Sequence, residues 1–462
     1  MTSVKSSVTS VVKTGFLYHS EHKGLKGLRK QRRVLEVITD IQARRERLAR
    51  IGARSVAADA ELTSAVAEII EEVRRRGDAA LLDYTARFDG VRLRACELRV
   101  EESALRASAA RVDARVLEAL RASVRNVRAF HERERAESWE FETGRGVRLG
   151  QRFSPVEAAG LYVPGGTASY PSSVVMNVVP AQVAGVGRVA VVTPPRTLEE
   201  TPAVAAALLE LGVTEIYRVG GAQAVAALAY GTETIQRVDV ITGPGNKYVA
   251  AAKRLVFGAV GIDSVAGPSE VVVLADDTAR ADFIAADLLA QAEHGEDASA
   301  ILITTEPALA ARVAAEVARQ LETLARRRIV ERSLADFGAA FVVGSLEEAC
   351  ELVNELAPEH LEIVTRDDDR AASRVRHAGA IFFGAHTPEA VGDYFAGPNH
   401  VLPTGGAARF SSALGVQNFL RRTSTIRYTR EELSETARQI ATLAEAEGLD
   451  AHARSALIRL ES

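Results

Sequence analysis

Four short runs decide the fold: RVAVVTP at 188–194, EIYRVGG at 215–221, VDVITGPG at 238–245 and VVVLAD at 271–276. Each is rich in Val and Ile, and none alternates apolar with polar as a half-wetted strand would. Strands buried on both faces of a parallel sheet read this way. Between them lie helical stretches, AVAAALLELG (203–212) and AQAVAALAYG (222–231). Strand and helix in alternation predict an α/β domain with a mostly parallel, helix-flanked sheet. Such sheets bind ligands at the carboxyl ends of their strands. The strand ends here carry Gly220-Gly221 and Gly243-Pro244-Gly245-Asn246, which let backbone approach a phosphate-bearing ligand. A GxGxxG with an acid about 20 residues on is missing, so the dinucleotide fingerprint is incomplete, and ordinary turn chemistry accounts for these glycines equally well.

Working outward, a second α/β block runs from Glu270 through a helix ending at His294, strand AILITT (300–305), a long Ala/Arg helix, strand AAFVVG (339–344) and strand GAIFFG (379–384). Upstream, Arg33 to Glu134 is mostly helical. Val66, Ile69, Ile70 and Val73 recur at helical spacing, and Gly77-Asp78 breaks that stretch in two. Residues 141–155 read as a hairpin around Gly144 and Gly146. The end of the chain, 415–462, reads as a small helical piece in which Thr429 and Glu432 form a capping box and Gly448 stops the first helix. Residues 1–33 are rich in Ser, Thr, Val and Lys, with no acid before Glu21. They share acid poverty with transit peptides, but Arg is absent before Arg29. A disordered tail or an over-long assigned start is the expectation.

With 462 residues, 47% hydrophobic, 26% charged and a net charge of −4, the chain has room for two or more domains and gives no reason to expect nucleic acid. Two cysteines, Cys96 and Cys350, are too few for a disulfide framework and fit a reducing cytosol. Neither lies in a CxxC or beside a His, so a thiol nucleophile is not expected. No apolar run approaches the roughly 20 residues of a membrane span. The expectation is a cytoplasmic protein with neither membrane nor nucleic-acid partners.

The chemistry concentrates between Asn354 and His400. NELAPEHLE (354–362) sets Glu359 beside His360, and a carboxylate next to an imidazole suits proton transfer near neutral pH. Pro358, Gly392, Gly397 and Pro398 argue that these groups, with Asp393 and His400, lie on loops. A helix beginning at Glu359, with His360 packed inside it, is the plainer alternative. Upstream, the helix between Asp277-Thr278 and Gly295 sets Gln291 and His294 three apart, on one face. They could hold a metal with Asp287 as supporting partner. A His in a last helical turn is also favoured by the helix dipole alone, and Gln is an uncommon zinc ligand.

Taken together, GLYVPGG (160–166), GGAQAVAALAYGT (220–232), GPGNKYV (243–249), GPSEVVVLAD (267–276), DLLAQAEHG (287–295), NELAPEHLE, GDYFAGPNHVLPTGG (392–406) and EGLDAH (447–452) resemble histidinol dehydrogenase, in the family's order and from about Val34 to the end. The resemblance implies two Rossmann-like α/β domains: 55–161 with 271–414, carrying the metal and catalytic residues, and 162–270, carrying the NAD contacts. Helical pieces at 34–54 and 415–462 would flank them. It implies a zinc enzyme that oxidises L-histidinol to L-histidine through the aldehyde, reducing two NAD. Zinc ligands would be Gln291, His294, Asp393 and His452, and Glu359 and His360 the acid-base pair. Ser269, His400 and Glu447, with the ligands and His360, would contact substrate; Tyr162, Gln223 and Asn246 would contact NAD. It also implies a homodimer in which 415–462 completes the partner's site. The competing enzyme reading is a relative oxidising another small alcohol, such as a sulfonated diol. A non-catalytic metal-binding or regulatory protein would have no need for the Glu359-His360 pair.

Overall fold

The computed structural model describes residues 34–54, 60–165 and 170–461. The 1–33 expectation lies outside them. In chain order the strands are β1 (Val37–Ile38), β2 (Trp139–Glu142), β3 (Arg148–Pro155), β4 (Ala158–Tyr162), β5 (Arg188–Thr193), β6 (Glu215–Arg218) and β7 (Val240–Thr242), followed by β8 (Gly261–Ile262), β9 (Glu270–Ala275), β10 (Ser299–Thr304), β11 (Ala339–Val342), β12 (His360–Val364), β13 (Ala380–Phe383) and β14 (Leu420–Arg427).

They form two parallel sheets and one antiparallel sheet. The first parallel sheet runs β6-β5-β4-β7-β8 and the second β1-β11-β10-β9-β12-β13. Both wind alike. A central first strand, β4 or β9, has the next two strands on one side and the fourth on the other. The winding therefore reverses between β4 and β7, and between β9 and β12, the places where such sheets open a crevice. The uniformly apolar runs are fully buried, as β9 and β10 show along their whole length.

Each sheet has its own covering helices. Ala60–Arg76 and Asp78–Phe88 share one core with the helices Gly221–Tyr230 and Lys247–Val256, against the five-stranded sheet. Glu102–Ala109 and Ala114–His131 share that sheet's other core with Pro171–Ala184 and Pro202–Glu210. The division expected from the resemblance joins 55–161 to 271–414. These N-terminal helices bury their apolar stripes against the five-stranded sheet. The six-stranded sheet is covered by Ala281–Ala292, Pro307–Leu321 and Arg327–Phe337 on one face, and by Ile41–Gly52 and Leu346–Leu356 on the other.

Two corrections concern the ends. The 34–54 piece is not only helical, because β1 joins the edge of the six-stranded sheet with Val37 opposite Ala340. Nor is 415–462 all helical: β14 pairs antiparallel with β3 from Leu420 opposite Pro155 to Arg427 opposite Arg148. LRRTSTIR is exposed along most of its length, so it carries no buried face for periodicity to detect. The 141–155 hairpin forms as β2 and β3, with Trp139 opposite Gln151. Among the described residues no helix is long and apolar enough to cross a membrane. Cys96 and Cys350 are both free.

One buried ion pair fixes the loop after β7. Gly243 has φ +110°, and a Cβ there would sit 2.2 Å from the Tyr162 carbonyl oxygen, so only Gly fits. Its N–H donates to Asp263 Oδ2 at 2.8 Å, and its carbonyl accepts from Lys253 Nζ at 3.0 Å. Lys253 and Asp263 pair with each other, each side chain 2% exposed. Removing one partner strands the other charge, which in buried pairs costs about 3–5 kcal/mol. Lys253→Met should lower the urea midpoint by a corresponding amount at unchanged slope; an unmoved midpoint would contradict this account of the loop.

Candidate active site

The helix Leu346–Leu356 ends at Ala357, a non-glycine residue at φ 47°. Pro358 follows and cannot continue a helix. This turn delivers Glu359 to the threshold of β12 and makes His360 its first residue, so the pair begins a strand rather than a helix. In the parallel register His360 lies opposite Val271, which brings the backbone of Glu270 to the two side chains. The Glu270 N–H donates to Glu359 Oε2 at 2.8 Å. The Glu270 carbonyl lies 3.1 Å from His360 Nδ1. A carbonyl only accepts, so Nδ1 carries the proton and Nε2 keeps its lone pair. Burial pushes the His360 imidazole down to about 3 and raises the Glu359 carboxyl well above the usual carboxylate range. At neutral pH His360 is therefore an uncharged base, and Glu359 holds a proton more readily than a free glutamate would.

Helix Ala281–Ala292 runs back from β9, so its C-terminus reaches the amino edge of the sheet. It starts at Ala281 rather than at Asp277-Thr278, because Asp276 accepts the Thr278 N–H at 2.9 Å and closes a turn first. Gln291 is in its last turn; His294 lies two residues past its end, in a turn closed by a 3.2 Å bond from its N–H to the Gln291 carbonyl. The partner of Gln291 is Glu389, not Asp287. With the amide turned so that its nitrogen faces that carboxylate, the orientation the surrounding groups require, it donates to both Glu389 oxygens at 2.7 and 2.9 Å. Asp287 instead shares a hydrogen bond with Glu362; burial first, then their mutual repulsion, lifts Glu362 to about 9, while burial lifts Asp287 to about 6. Glu362 in turn accepts the Glu389 N–H at 2.8 Å.

Asp393 lies in a short helix, Glu389–Tyr394, and not on a loop as its glycines suggest. His294, Glu389 and Asp393 each offer one ligand atom within 4.8 Å of the others. Burial raises Asp393 to about 6 and lowers His294. His360 Nε2 faces Asp393 Oδ1 at 3.9 Å. His400 is on a loop, its Nδ1 3.0 Å from the Asp393 carbonyl, and burial pushes its imidazole down to about 4. A cleft of about 500 Å³ is lined by Arg54, Gly245, Ser269, His294, Glu359 and His400, among others. The carboxyl edge of one sheet thus faces the amino edge of the other across a common space.

The three expected NAD contacts share that carboxyl edge. Tyr162 ends β4 and is buried, its hydroxyl accepting the Gly221 N–H at 3.0 Å; burial pushes its phenol up to about 12. Gln223 is buried in the first turn of helix Gly221–Tyr230. Asn246 is exposed and caps the helix Lys247–Val256, accepting from Tyr248 and Val249 N–H at 3.0 and 3.2 Å. Two expected residues stand apart. Glu447 and His452 are exposed on the C-terminal helices and do not belong to the metal-type cluster of this chain. Sequence reasoning missed Glu389, Glu270 and Arg54. Only Glu389 left a signal, four residues before Asp393 and so one helical turn from it.

Comparisons with known proteins all lead to one family. The histidinol dehydrogenase family model matches residues 53–460. Histidinol dehydrogenase of Geobacillus kaustophilus (strain HTA426) is 58% identical over 402 residues, spanning 87% of this chain and 94% of the relative. That of Bacillus subtilis (strain 168) is 52% identical over 396 residues, spanning 86% and 92%. The crystal structure of histidinol dehydrogenase from Elizabethkingia anophelis matches with a TM-score of 0.86 at 34% identity, over 93% of this chain and 98% of that one.

The cluster's donor set leads to a binding prediction. Asp393→Ala should weaken zinc binding, measured against a chromophoric chelator, by at least the roughly 10–100-fold that losing a mere supporting partner costs. Unchanged affinity would show that the metal binds elsewhere.

Proposed function

The chain belongs to the histidinol dehydrogenase family, and we propose that it oxidises L-histidinol to L-histidine through a bound aldehyde, reducing two NAD with the help of one zinc ion. The observation that carries this reading is the Glu359-His360 pair, buried at the cleft beside Gln291, His294 and Asp393. The donor set fits zinc, which takes imidazole nitrogen and carboxylate oxygen readily. His294, Asp393 and Gln291 would hold it from this chain. Bound there, zinc would supply a fixed anchor for the substrate's imidazole and amine, and NAD would supply the acceptor for the electrons.

The proton transfers belong to the chain's own residues. His360 takes the alcohol proton at Nε2 in the first step, because Nδ1 is occupied by the Glu270 carbonyl. The aldehyde then needs a nucleophile. Glu359, as carboxylate, draws a proton from water and aims the oxygen at the aldehyde carbon. Burial of both groups keeps the bound aldehyde from bulk solvent. No cysteine is required, in keeping with Cys350 buried away from the cleft lining and Cys96 on the surface. Ser269 and His400, on the cleft wall, would contact the substrate; Tyr162, Gln223 and Asn246 would shape the NAD site.

Purified protein should yield two NADH and one histidine per histidinol, with no free aldehyde accumulating. Glu359→Gln should slow oxidation of supplied aldehyde by roughly 10²–10⁴ while sparing the alcohol step. The sign of the pH effect follows from burial: the carboxylate is lost as pH falls through a pKa above that of free Glu, about 4.3. The aldehyde step should therefore show an acid limb above that value, absent in Glu359→Gln. One NADH per substrate, or equal losses in both steps, would contradict the separate roles.

A homodimer with shared sites is the second element of the proposal. Glu447 and His452 face solvent within one chain, although the family resemblance gives them substrate and zinc. The tail of one subunit would thus complete the other's cluster. Asp393→Ala and His452→Ala homodimers should each be nearly inactive. Co-refolded heterodimers should regain up to half of wild-type activity, since one site receives both changes and the other neither. Heterodimers that form yet stay inactive would show that the tail serves its own chain.

A further inference from the structure

We propose that the buried ion pair between Arg54 and Glu270 is the positioning element of the catalytic pair, holding Glu359 and His360 through the backbone of one residue, Glu270; this rests on the reading of those two residues given above. Both catalytic side chains hang from the main chain of Glu270, whose N–H engages Glu359 and whose carbonyl engages His360. The peptide that carries this N–H is held on its other side by the ladder, its Ser269 carbonyl accepting the Ser299 N–H at 2.9 Å. The Glu270 side chain adds a second hold. Glu270 Oε1 takes Arg54 Nη2 at 2.5 Å, and Oε2 accepts the Gly405 N–H at 3.2 Å.

Arg54 is itself fixed on every side. Its Nε donates to the Ile51 carbonyl at 3.0 Å and its Nη1 to the Asp297 carbonyl at 2.6 Å, and the guanidinium lies 5.3 Å from the Phe337 ring centre. The Arg54 and Glu270 side chains are 6% and 10% exposed. The planar fork thus ties the end of helix Ile41–Gly52 and the turn after Gln291 and His294 to the start of β9. Lysine could not make these contacts together.

Charge balance points the same way. Glu270 without Arg54 would leave a second buried carboxylate beside Glu359, and two like charges so placed cannot both stay ionised. Arg54 opposes that charge, its guanidinium favouring the ionised form of both Glu270 and Glu359. A pair serving stability alone would have no cause to bear on both catalytic groups through a single residue.

The test uses the intact, metal-loaded enzyme, with Arg54→Met and the neutral double variant Arg54→Met/Glu270→Gln. Expected for both is a fall in kcat of roughly 10²-fold, the scale of a small misplacement of reacting groups. The fall should be shared by the alcohol and aldehyde steps, with KM for histidinol and the stoichiometry of bound NAD and zinc unchanged. Sharing separates this outcome from Glu359→Gln, which spares the alcohol step. If Arg54→Met fails to fold, the double variant, which leaves no unpaired charge, decides. Wild-type kcat in the folded double variant, or a loss matched by lost NAD or zinc sites, would overturn the proposal. Wild-type enzyme that fails to turn over histidinol would instead defeat the functional reading itself.

Discussion

The site depends on the parallel pairing of β12 with β9. In that ladder His360 stands opposite Val271, so the backbone N–H and carbonyl of Glu270 are presented to the side chains of Glu359 and His360 respectively. The winding order of the six-stranded sheet makes this possible. β9 is laid down first in its block and β12 fourth, and they meet at the point where the order reverses. Ligands of such sheets gather at carboxyl edges. On the proposed reading the five-stranded sheet would follow that rule through its NAD contacts, whereas the Glu359-His360 pair lies at the amino edge of the six-stranded sheet. Helix Ala281–Ala292 returns its C-terminus to the same edge, which brings Gln291 and His294 to the acid-base pair without any long loop.

This arrangement carries an electrostatic cost. Glu270, Asp287, Glu359, Glu362, Glu389 and Asp393 are all raised above their ordinary pKa, burial being the largest cause for each. So many carboxyls cannot all ionise in one desolvated region. The structure answers by pairing them. Asp287 and Glu362 share a hydrogen bond, Arg54 neutralises Glu270, and the Gln291 amide satisfies both oxygens of Glu389. A protein selected for stability alone would fill such a region with apolar side chains. Concentrated, perturbed acids of this kind are what acid-base chemistry near neutral pH requires.

Much of this was legible in the chain. The parallel strands announced themselves because a strand buried on both faces has no polar side to disguise it, as in VVVLAD and AILITT. Glu359 and His360 stood out as neighbours of complementary chemistry after a proline. What stayed hidden has physical reasons. An amphipathic stripe such as Val66, Ile69, Ile70 and Val73 tells that a helix packs, not on which sheet, and the 55–161 helices joined the other one. β14 was hidden because it is exposed on both faces. Arg54 and Glu270 lie more than two hundred residues apart and acquire meaning only when helix Ile41–Gly52 meets β9. Glu447 and His452 carry no local signal either; family resemblance alone singled them out.

The central claim is that the Glu270 carbonyl fixes His360 as a neutral imidazole protonated at Nδ1, with Nε2 free to take the substrate proton. Neutron diffraction from crystals grown in deuterated buffer near pH 7 reads this directly. The account predicts deuterium density on His360 Nδ1, directed at the Glu270 carbonyl oxygen, and none on Nε2. Density on Nε2, alone or together with Nδ1, would contradict it.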